Sequence, residues 1–232
     1  MGREKILDTI NAHSPMLQIA LDFINLEDAV RIASIISSNI NTPIIYEVGT
    51  PLIKAEGRKA ISIISKLVQP NITIADTKTM DVGGLEAELA IKSGANALTV
   101  LAAASDETIK SAVEKAHNLG GIVVADLIGI RNPLGRVKIL EELDVDIVSL
   151  HVGIDTQKIL GITASDLASL VREVKKFFNG FVAVAGGLMR DNIKPLIDAG
   201  ADIIVIGSAI TKAKDPLREA LFILEILNTY GR

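Results

Sequence analysis

The residue types best suited to chemistry lie in one short segment, Asp76-Thr77-Lys78-Thr79-Met80-Asp81, which directly follows an apolar run. A buried strand rarely needs two carboxylates and an ammonium at the point where it leaves the core. Because side chains alternate along a strand, Asp76 and Lys78 should project to the same side. Asp81 falls in the following turn and is expected to fold back toward them. Such a cluster is typical of chemistry on an anionic, enolisable or decarboxylating substrate.

Lys78 is expected to stay protonated, because Asp76 and Asp81 on either side of it favour the charged form. A lysine that forms a Schiff base needs a lowered pKa, which is the opposite effect. Lys78 is therefore better suited to stabilising an enediolate or donating a proton. A purely structural salt bridge is the alternative.

The apolar pattern predicts the elements that must position these side chains. Eight short aliphatic runs alternate with eight amphipathic segments along the 232 residues, which is typical of a parallel sheet with helical crossovers. Eight units predict closure as a (β/α)8 TIM barrel, a single α/β domain over residues 1–232 with a short N-terminal helical segment. An open doubly wound sheet is the alternative, but the turn after its first strand should be rich in glycine, and Asp22-Phe23-Ile24-Asn25 has none.

The boundaries of these elements follow from the same pattern. The predicted strands are 16–22, 43–48, 72–76, 97–101, 122–127, 146–151, 181–185 and 202–206. The predicted helices are 26–38, 57–68, 84–92, 106–119, 135–143, 164–178, 190–198 and 215–227. Glycines at 94, 120 and 200 are expected to cap the helices that precede them.

In barrels of this type the carboxyl ends of the strands meet on one rim, where catalytic residues gather. Five predicted strands end in ionisable residues, namely Asp22, Glu47, Asp76 with Lys78, Asp126 and His151. A single acidic residue there could instead cap a helix, and Asp22 could do so for the first one. Five such strand ends on one rim favour a catalytic site.

Glu47 and Asp76 are predicted to be metal ligands. They come from neighbouring strands and offer oxygen atoms without nitrogen or sulfur partners, as Mg²⁺ prefers. The alternative is that Glu47 pairs with Lys78 in a buried ion network. His151, the one histidine at a strand end, is predicted to exchange a proton with the substrate, because an imidazole titrates near neutral pH. His13 and His117 are expected to be structural or exposed.

A pair of residues that contains glycine follows each of the last two strands, namely Gly186-Gly187 and Gly207-Ser208. Barrels of this type often bind phosphate there through backbone N–H groups, and glycine lets the backbone approach the phosphate oxygens. The sequence therefore predicts a phosphate site at Gly186, Gly187, Gly207 and Ser208.

Composition excludes several classes of function. The net charge is −4 and only 3% of residues are aromatic, so neither a basic surface nor stacking side chains for nucleic acid are expected. Cysteine is absent, which excludes disulfides and thiolate metal sites. No apolar run is long enough for a membrane span, and the amino terminus does not read as a signal peptide. A soluble cytoplasmic protein with no membrane partner is expected.

Asp76-Thr77-Lys78-Thr79-Met80-Asp81 resembles the D-x-K-x-x-D motif of the orotidine 5′-monophosphate decarboxylase superfamily. The continuation Val82-Gly83-Gly84-Leu85-Glu86 is similar to the branch that contains 3-hexulose-6-phosphate synthases and 3-keto-L-gulonate-6-phosphate decarboxylases. Further similar segments cover nearly the whole chain in order: Leu21-Asp22, Glu47-Val48-Gly49-Thr50, Val124–Gly129, His151-Val152-Gly153-Ile154-Asp155, Ala185-Gly186-Gly187 and Ile206–Thr211.

Within this branch the chain resembles the synthases more closely. The decarboxylases carry an arginine at the position of Ile154 and a glutamate at the position of Asp126. The resemblance implies a magnesium-dependent aldolase that joins or splits formaldehyde and ribulose 5-phosphate. It also implies a homodimer in which Asp81 reaches the partner's site, with Asp22 and Asp126 orienting Lys78 or substrate hydroxyls.

Some relatives bind phosphate with an arginine where this chain has Ser208, so Arg131 or Lys212 could contribute instead. A decarboxylase of the same superfamily is the nearest alternative function. A ribulose-phosphate epimerase would need metal-binding histidines that this rim lacks. A catalytically silent protein that binds sugar phosphates is the alternative from another class.

Overall fold

The computed structural model describes residues 1–153 and 164–230. Eight parallel strands form a closed barrel in sequence order, and the first strand pairs with the last. The predicted (β/α)8 barrel is confirmed, and the open sheet is excluded because the pairing of β1 with β8 leaves no edge strand.

The elements are named in chain order. The strands are β1 (Met16–Leu21), β2 (Ile45–Val48), β3 (Ile72–Thr79), β4 (Ala97–Leu101), β5 (Ile122–Asp126), β6 (Ile147–His151), β7 (Phe181–Ala185) and β8 (Ile203–Ile206). The helices are α1 (Arg3–His13), α2 (Leu26–Ser37), α3 (Thr50–Glu56), α4 (Arg58–Leu67), α5 (Gly83–Lys92), α6 (Asp106–Asn118), α7 (Pro133–Glu142), α8 (Ala164–Val174), α9 (Lys194–Asp198), α10 (Ser208–Thr211) and α11 (Pro216–Asn228). Within the described ranges no helix is both long and apolar enough to cross a bilayer.

The interior of the barrel is an aliphatic cluster separate from the larger core between strands and helices. Alternate residues of each strand face inward, and those near the amino ends of the strands are apolar. Helix α1 adds Ile6 and Ile10 to this cluster and so closes the amino-terminal end of the barrel. Arg3 anchors the helix through an ion pair of 2.9 Å with Asp146.

His117 and His13, which were expected to be structural or exposed, lie away from the predicted catalytic site. The Nε2 atom of His117 lies 2.8 Å from Asp146, next to the same anchor. His13 is exposed and its ring contacts the Thr9 carbonyl of its own helix at 2.9 Å. Neither side chain is near the carboxyl ends of the strands.

The predicted boundaries differ from the observed ones in a few places. Helices α3 and α10 were not expected, because each is short and begins directly after a strand-end glycine. The glycine caps are confirmed, since Gly94, Gly120 and Gly200 have φ values of 109°, 79° and 98°. Helix α8 ends at Val174 instead of 178, and α9 begins at Lys194 instead of 190. Among the strands the largest difference is β3, which continues into the charged motif as far as Thr79 instead of ending at Asp76.

Candidate active site

A cavity of about 600 Å³ opens at the carboxyl ends of the strands. It contains almost every side chain that the sequence singles out. The predicted site residues that line it are Asp22, Glu47, Asp76, Lys78, Asp126, His151, Gly186, Gly187, Gly207 and Ser208. The one exception is Asp81, which does not line the cavity of its own chain.

The floor of the cavity is formed by polar side chains that face into the barrel, next to its apolar interior. Six strands carry a polar residue at an inward-facing position, beyond the apolar residues at their amino ends. These residues are Gln18, Glu47, Asp76, Thr99, Asp126 and Ser149, and all of them are buried. An apolar barrel interior thus supports a layer of polar side chains that are shielded from bulk water.

Lys78 forms ion pairs with carboxylates from two different strands. Its Nζ atom lies 2.9 Å from Asp76 and 3.0 Å from Asp126. The expectation that Asp76 and Lys78 face the same side is confirmed. The expectation that Asp81 provides the second carboxylate is wrong for this chain, because Asp81 is exposed and accepts a hydrogen bond from the Val82 N–H.

The ammonium of Lys78 is held in its charged form. Burial by itself would lower the pKa of Lys78, but the charges of Asp76 and Asp126 outweigh it, and the pKa is raised above its ordinary value. The carboxylates that stabilise the protonated form of Lys78 are therefore those of Asp76 and Asp126, and not that of Asp81. Schiff-base chemistry at Lys78 is correspondingly disfavoured.

Asp126 also contacts His151. Its Oδ2 and Oδ1 atoms lie 3.0 Å and 3.2 Å from the His151 Nδ1 atom. Burial would raise the pKa of Asp126, but the hydrogen bond and charge of His151, with the charge of Lys78, hold it below its ordinary value. An ionised carboxylate only accepts hydrogen bonds, so the His151 Nδ1 atom carries a proton and donates a hydrogen bond to Asp126. Whenever the imidazole is neutral, the lone pair is therefore on Nε2.

Glu47 is buried and accepts a hydrogen bond from the Gln18 amide. Burial, followed by the charges of Asp76 and Asp22, raises the pKa of Glu47 well above its ordinary value. Within the described ranges its carboxylate forms no ion pair with Lys78 or another cation, so the buried ion-network alternative does not describe this site.

The donor set fits a hard divalent cation. The charge of Asp76 raises the pKa values of both Glu47 and Asp22, the charge of Asp22 also raises that of Glu47, and the charge of Lys78 acts in the opposite direction on both. Glu47 and Asp76 offer oxygen only, which suits Mg²⁺. In the described part of the chain no three His, Cys, Asp or Glu side chains enclose a metal by themselves. Two carboxylates plus oxygens of a substrate and water would complete the coordination.

Asp22 does not cap helix α2, because the Asn25 side chain accepts the hydrogen bond from the Asp28 N–H. Asp22 instead lies against Gly49, where a Cβ atom would approach its carboxylate to 2.1 Å. Gly49 therefore leaves the space that the Asp22 carboxylate occupies. Desolvation, and then the charge of Asp76, raises the pKa of Asp22, while the charges of Lys78 and His151 act in the opposite direction.

The two glycine-containing pairs lie together on the side of the cavity formed by β7 and β8. Gly186 and Gly187 have positive φ values of 113° and 58°, which other residues rarely adopt. Lys212 also lines this part of the cavity. Arg131, the other basic residue considered for phosphate, lies outside the cavity along a neighbouring depression.

Ile154 and Asp155, the last two residues of the family-like segment that begins at His151, lie outside the described residues. Within the described part of that segment, His151 and Gly153 line the cavity.

The sequence matches the family model described as "Orotidine 5'-phosphate decarboxylase / HUMPS family" over residues 15–223. The matched range contains every strand of the barrel and every residue of the cavity. The chain belongs to this family.

Members of the family with assigned names resemble the chain over most of its length. A protein of Staphylococcus aureus named 3-hexulose-6-phosphate synthase is 36% identical over 205 residues, which cover 88% of this chain and 94% of the relative. The crystal structure of 3-hexulose-6-phosphate synthase from Salmonella typhimurium has a TM-score of 0.84 and 34% identity, covering 93% of this chain and 99% of that one. The 3-keto-L-gulonate-6-phosphate decarboxylase of Vibrio cholerae has a TM-score of 0.82 at 29% identity, covering 94% and 99%.

Three polar residues of the site were not predicted from the sequence. Gln18 donates to Glu47, and the Thr50 hydroxyl donates to Asp76 at 2.6 Å. The Thr99 hydroxyl donates to Asp76 at 2.8 Å. Gln18 and Thr99 had a detectable signal, since each is the one polar residue in an otherwise apolar strand. On the fourth strand the site residue Thr99 lies two positions before the end, and the end itself is apolar, with Leu101 followed by three alanines.

Proposed function

We propose that this protein condenses formaldehyde with ribulose 5-phosphate to form 3-hexulose 6-phosphate, and catalyses the reverse cleavage. The observation that carries the proposal is the connected set Asp76, Lys78, Asp126 and His151 in one cavity. In this set the ammonium of Lys78 and the imidazole of His151 both contact the carboxylate of Asp126. The identity with relatives named 3-hexulose-6-phosphate synthase supports the choice of substrates.

His151 is the proposed base. Its Nδ1–H is directed to Asp126, so the lone pair on Nε2 accepts a proton from carbon 1 of ribulose 5-phosphate. The electron pair left on carbon 1 is delocalised onto the carbonyl oxygen at carbon 2 as an enediolate. Carbon 1 then attacks the carbon of formaldehyde. A carbon–carbon bond forms as the C=O π bond of formaldehyde opens, and the former aldehyde oxygen takes up the proton that His151 removed.

Lys78 is the proposed electrostatic partner of that enediolate. Its charge is already fixed by Asp76 and Asp126, so little reorganisation is needed when negative charge develops on the substrate oxygen. The raised pKa keeps the ammonium intact through the reaction. Asp22 lines the same cavity and is proposed to orient substrate hydroxyls.

Glu47 and Asp76 are the proposed ligands of Mg²⁺. When bound, the ion would supply Lewis-acid stabilisation of negative charge on the substrate oxygens. The burial of Glu47 among other carboxylates, with Gln18 as its hydrogen-bond donor, supports this role.

The phosphate of the substrate is proposed to lie on the side of the cavity formed by β7 and β8. Gly186, Gly187, Gly207 and Ser208 would offer backbone N–H groups there, and Lys212 would add a positive charge.

The protein is proposed to act as a homodimer in which Asp81 completes the partner's site. An exposed apolar patch surrounds Asp81, and four large side chains that are between 41% and 57% exposed form it: Met80, Val82, Leu85 and Leu89. Exposed apolar residues in such a group mark protein–protein contacts. Since Asp81 does not reach the cavity of its own chain, a second copy on this patch would give it a role.

The test is to mix the protein, Mg²⁺, ribulose 5-phosphate and formaldehyde and to follow formaldehyde loss. We expect loss that requires ribulose 5-phosphate and that falls after metal is removed. A parallel reaction supplies 3-keto-L-gulonate 6-phosphate and measures CO₂. Rapid CO₂ release without formaldehyde consumption would assign the decarboxylase function instead. Binding of ribulose 5-phosphate with neither reaction would indicate a catalytically silent binding protein.

A further inference from the structure

Strands β3 and β4 pair irregularly at the catalytic motif. Ala75 pairs with Leu98 and Thr79 pairs with Val100. Three residues of β3, positions 76 to 78, therefore lie opposite a single residue of β4, Thr99. A bulge of this kind redirects side chains and interrupts the ladder of hydrogen bonds between strands.

Thr99 supplies the hydrogen bonds that the interrupted ladder lacks. Its carbonyl oxygen accepts from the Thr77 hydroxyl at 2.8 Å. Its hydroxyl accepts from the Lys78 backbone N–H at 2.9 Å and donates to the Asp76 carboxylate at 2.8 Å. All three residues of the bulge are thus held by one residue of the neighbouring strand.

The backbone at Lys78 needs such support. Its φ is 45°, in the left-handed region that residues with a side chain seldom adopt. A conformation of this kind persists only where the surrounding structure enforces it. The bond from the Lys78 N–H to the Thr99 hydroxyl acts on this residue directly.

We propose that Thr99 is a positioning residue that sets the Asp76–Lys78 pair for catalysis through its hydroxyl. A hydroxyl can accept one hydrogen bond and donate another at the same time. The Thr99 hydroxyl uses both capacities, one on the backbone of Lys78 and one on the carboxylate that pairs with its ammonium. Thr99 is buried in the cavity floor, so water does not readily replace these bonds. The inference rests on the proposed function, because it concerns the turnover of that site.

The chain offers a matched control in Thr73. It lies on β3, is as buried as Thr99, and its hydroxyl has no hydrogen-bond partner among the described residues. Replacing either threonine by valine keeps the shape and removes a buried hydroxyl. Only Thr99→Val removes hydrogen bonds to Asp76 and Lys78.

The test compares Thr99→Val, Thr99→Ser and Thr73→Val with the wild type in two measurements. In steady-state kinetics we expect Thr99→Val to lower kcat about 10- to 100-fold, with KM for ribulose 5-phosphate within about twofold, because misplacement affects the reaction more than binding. Thr99→Ser should recover most of the wild-type kcat, since it keeps the hydroxyl. Thr73→Val should match the wild type.

The second measurement is hydrogen exchange at the Lys78 backbone amide, followed by NMR, which does not depend on the reaction. Thr99→Val should speed this exchange by about tenfold or more, while Thr99→Ser and Thr73→Val leave it nearly unchanged. The same kcat in Thr99→Val and wild type, or equal losses in Thr99→Val and Thr73→Val, would overturn the proposal. If the wild type condenses no formaldehyde, the proposed function fails, and unchanged Lys78 exchange in Thr99→Val would separately overturn the positioning.

Discussion

The Oδ2 atom of Asp126 lies 3.0 Å from the Nδ1 atom of His151, and this contact determines which imidazole nitrogen is available as a base. The same oxygen lies 3.0 Å from the Nζ atom of Lys78. One carboxylate therefore links the proposed base to the proposed electrostatic partner. Substitution of Asp126 should therefore disturb both His151 and Lys78 while both side chains remain present.

The first prediction concerns Asp126→Asn. An amide can donate to Nδ1, which would move the imidazole proton to Nε2 and block the base. We expect kcat to fall by about 100-fold or more, with little change in KM for ribulose 5-phosphate. Asp126→Glu, which keeps the charge but lengthens the side chain, should lose less. Steady-state kinetics on the wild type and the two variants measures these effects. An Asp126→Asn variant as active as the wild type would contradict the prediction.

The second prediction concerns the stability provided by Lys78. Lys78→Met leaves Asp76 and Asp126 buried without their ammonium, so the free energy of unfolding should fall by about 2–4 kcal/mol. The matched control is Lys115→Met, which removes a half-exposed lysine paired with Glu88 at 3.3 Å and should cost less than about 1 kcal/mol. Urea denaturation measures both. Equal losses in the two variants would show that the buried pairs contribute no more than a surface pair.

The third prediction concerns Glu47 and the proposed metal. The raised pKa of Glu47 means that the folded state binds a proton more tightly than the unfolded state, so stability falls as pH rises above the ordinary carboxyl range. At pH 8 without metal, Glu47→Gln should therefore raise the free energy of unfolding by about 1–3 kcal/mol. Added Mg²⁺ should stabilise the wild type and not the variant. Thermal unfolding with and without Mg²⁺ checks this, and equal stabilisation of both proteins would remove Glu47 from the metal site.

The fourth prediction concerns Asp81 and the proposed dimer. Lys78→Ala and Asp81→Ala should each be inactive alone. After the two are mixed and allowed to exchange subunits, about a quarter of the wild-type activity should return, because half of the dimers are mixed and each holds one intact site. No recovery in samples that light scattering shows to be mixed dimers would place Asp81 outside the partner's site.

Much of the architecture could be predicted from the sequence because burial leaves a clear pattern. Apolar runs such as 97–101 and 181–185 have no other explanation than buried strands, and their alternation with amphipathic segments implies parallel pairing. The glycine caps follow from local backbone requirements. Helices α3 and α10 were missed because each spans only a turn or two, which is too short for a helical period to show.

The site was harder to predict where it depends on a contact between distant segments. The position of Asp126 beside Lys78 results from barrel closure and strand register, which no local pattern encodes. The bulge opposite Thr99 likewise depends on how β3 pairs with β4. Proximity in sequence suggested Asp81 as the partner of Lys78, but the chain turns away after Thr79 and exposes it.

The most direct test of the central claim is carbon-1 proton exchange of ribulose 5-phosphate in D₂O without formaldehyde, followed by NMR. We expect the wild type with Mg²⁺ to incorporate deuterium at carbon 1, and His151→Ala to bind the sugar phosphate without exchanging this proton. Unchanged exchange in His151→Ala would contradict the assignment of His151 as the base that forms the enediolate.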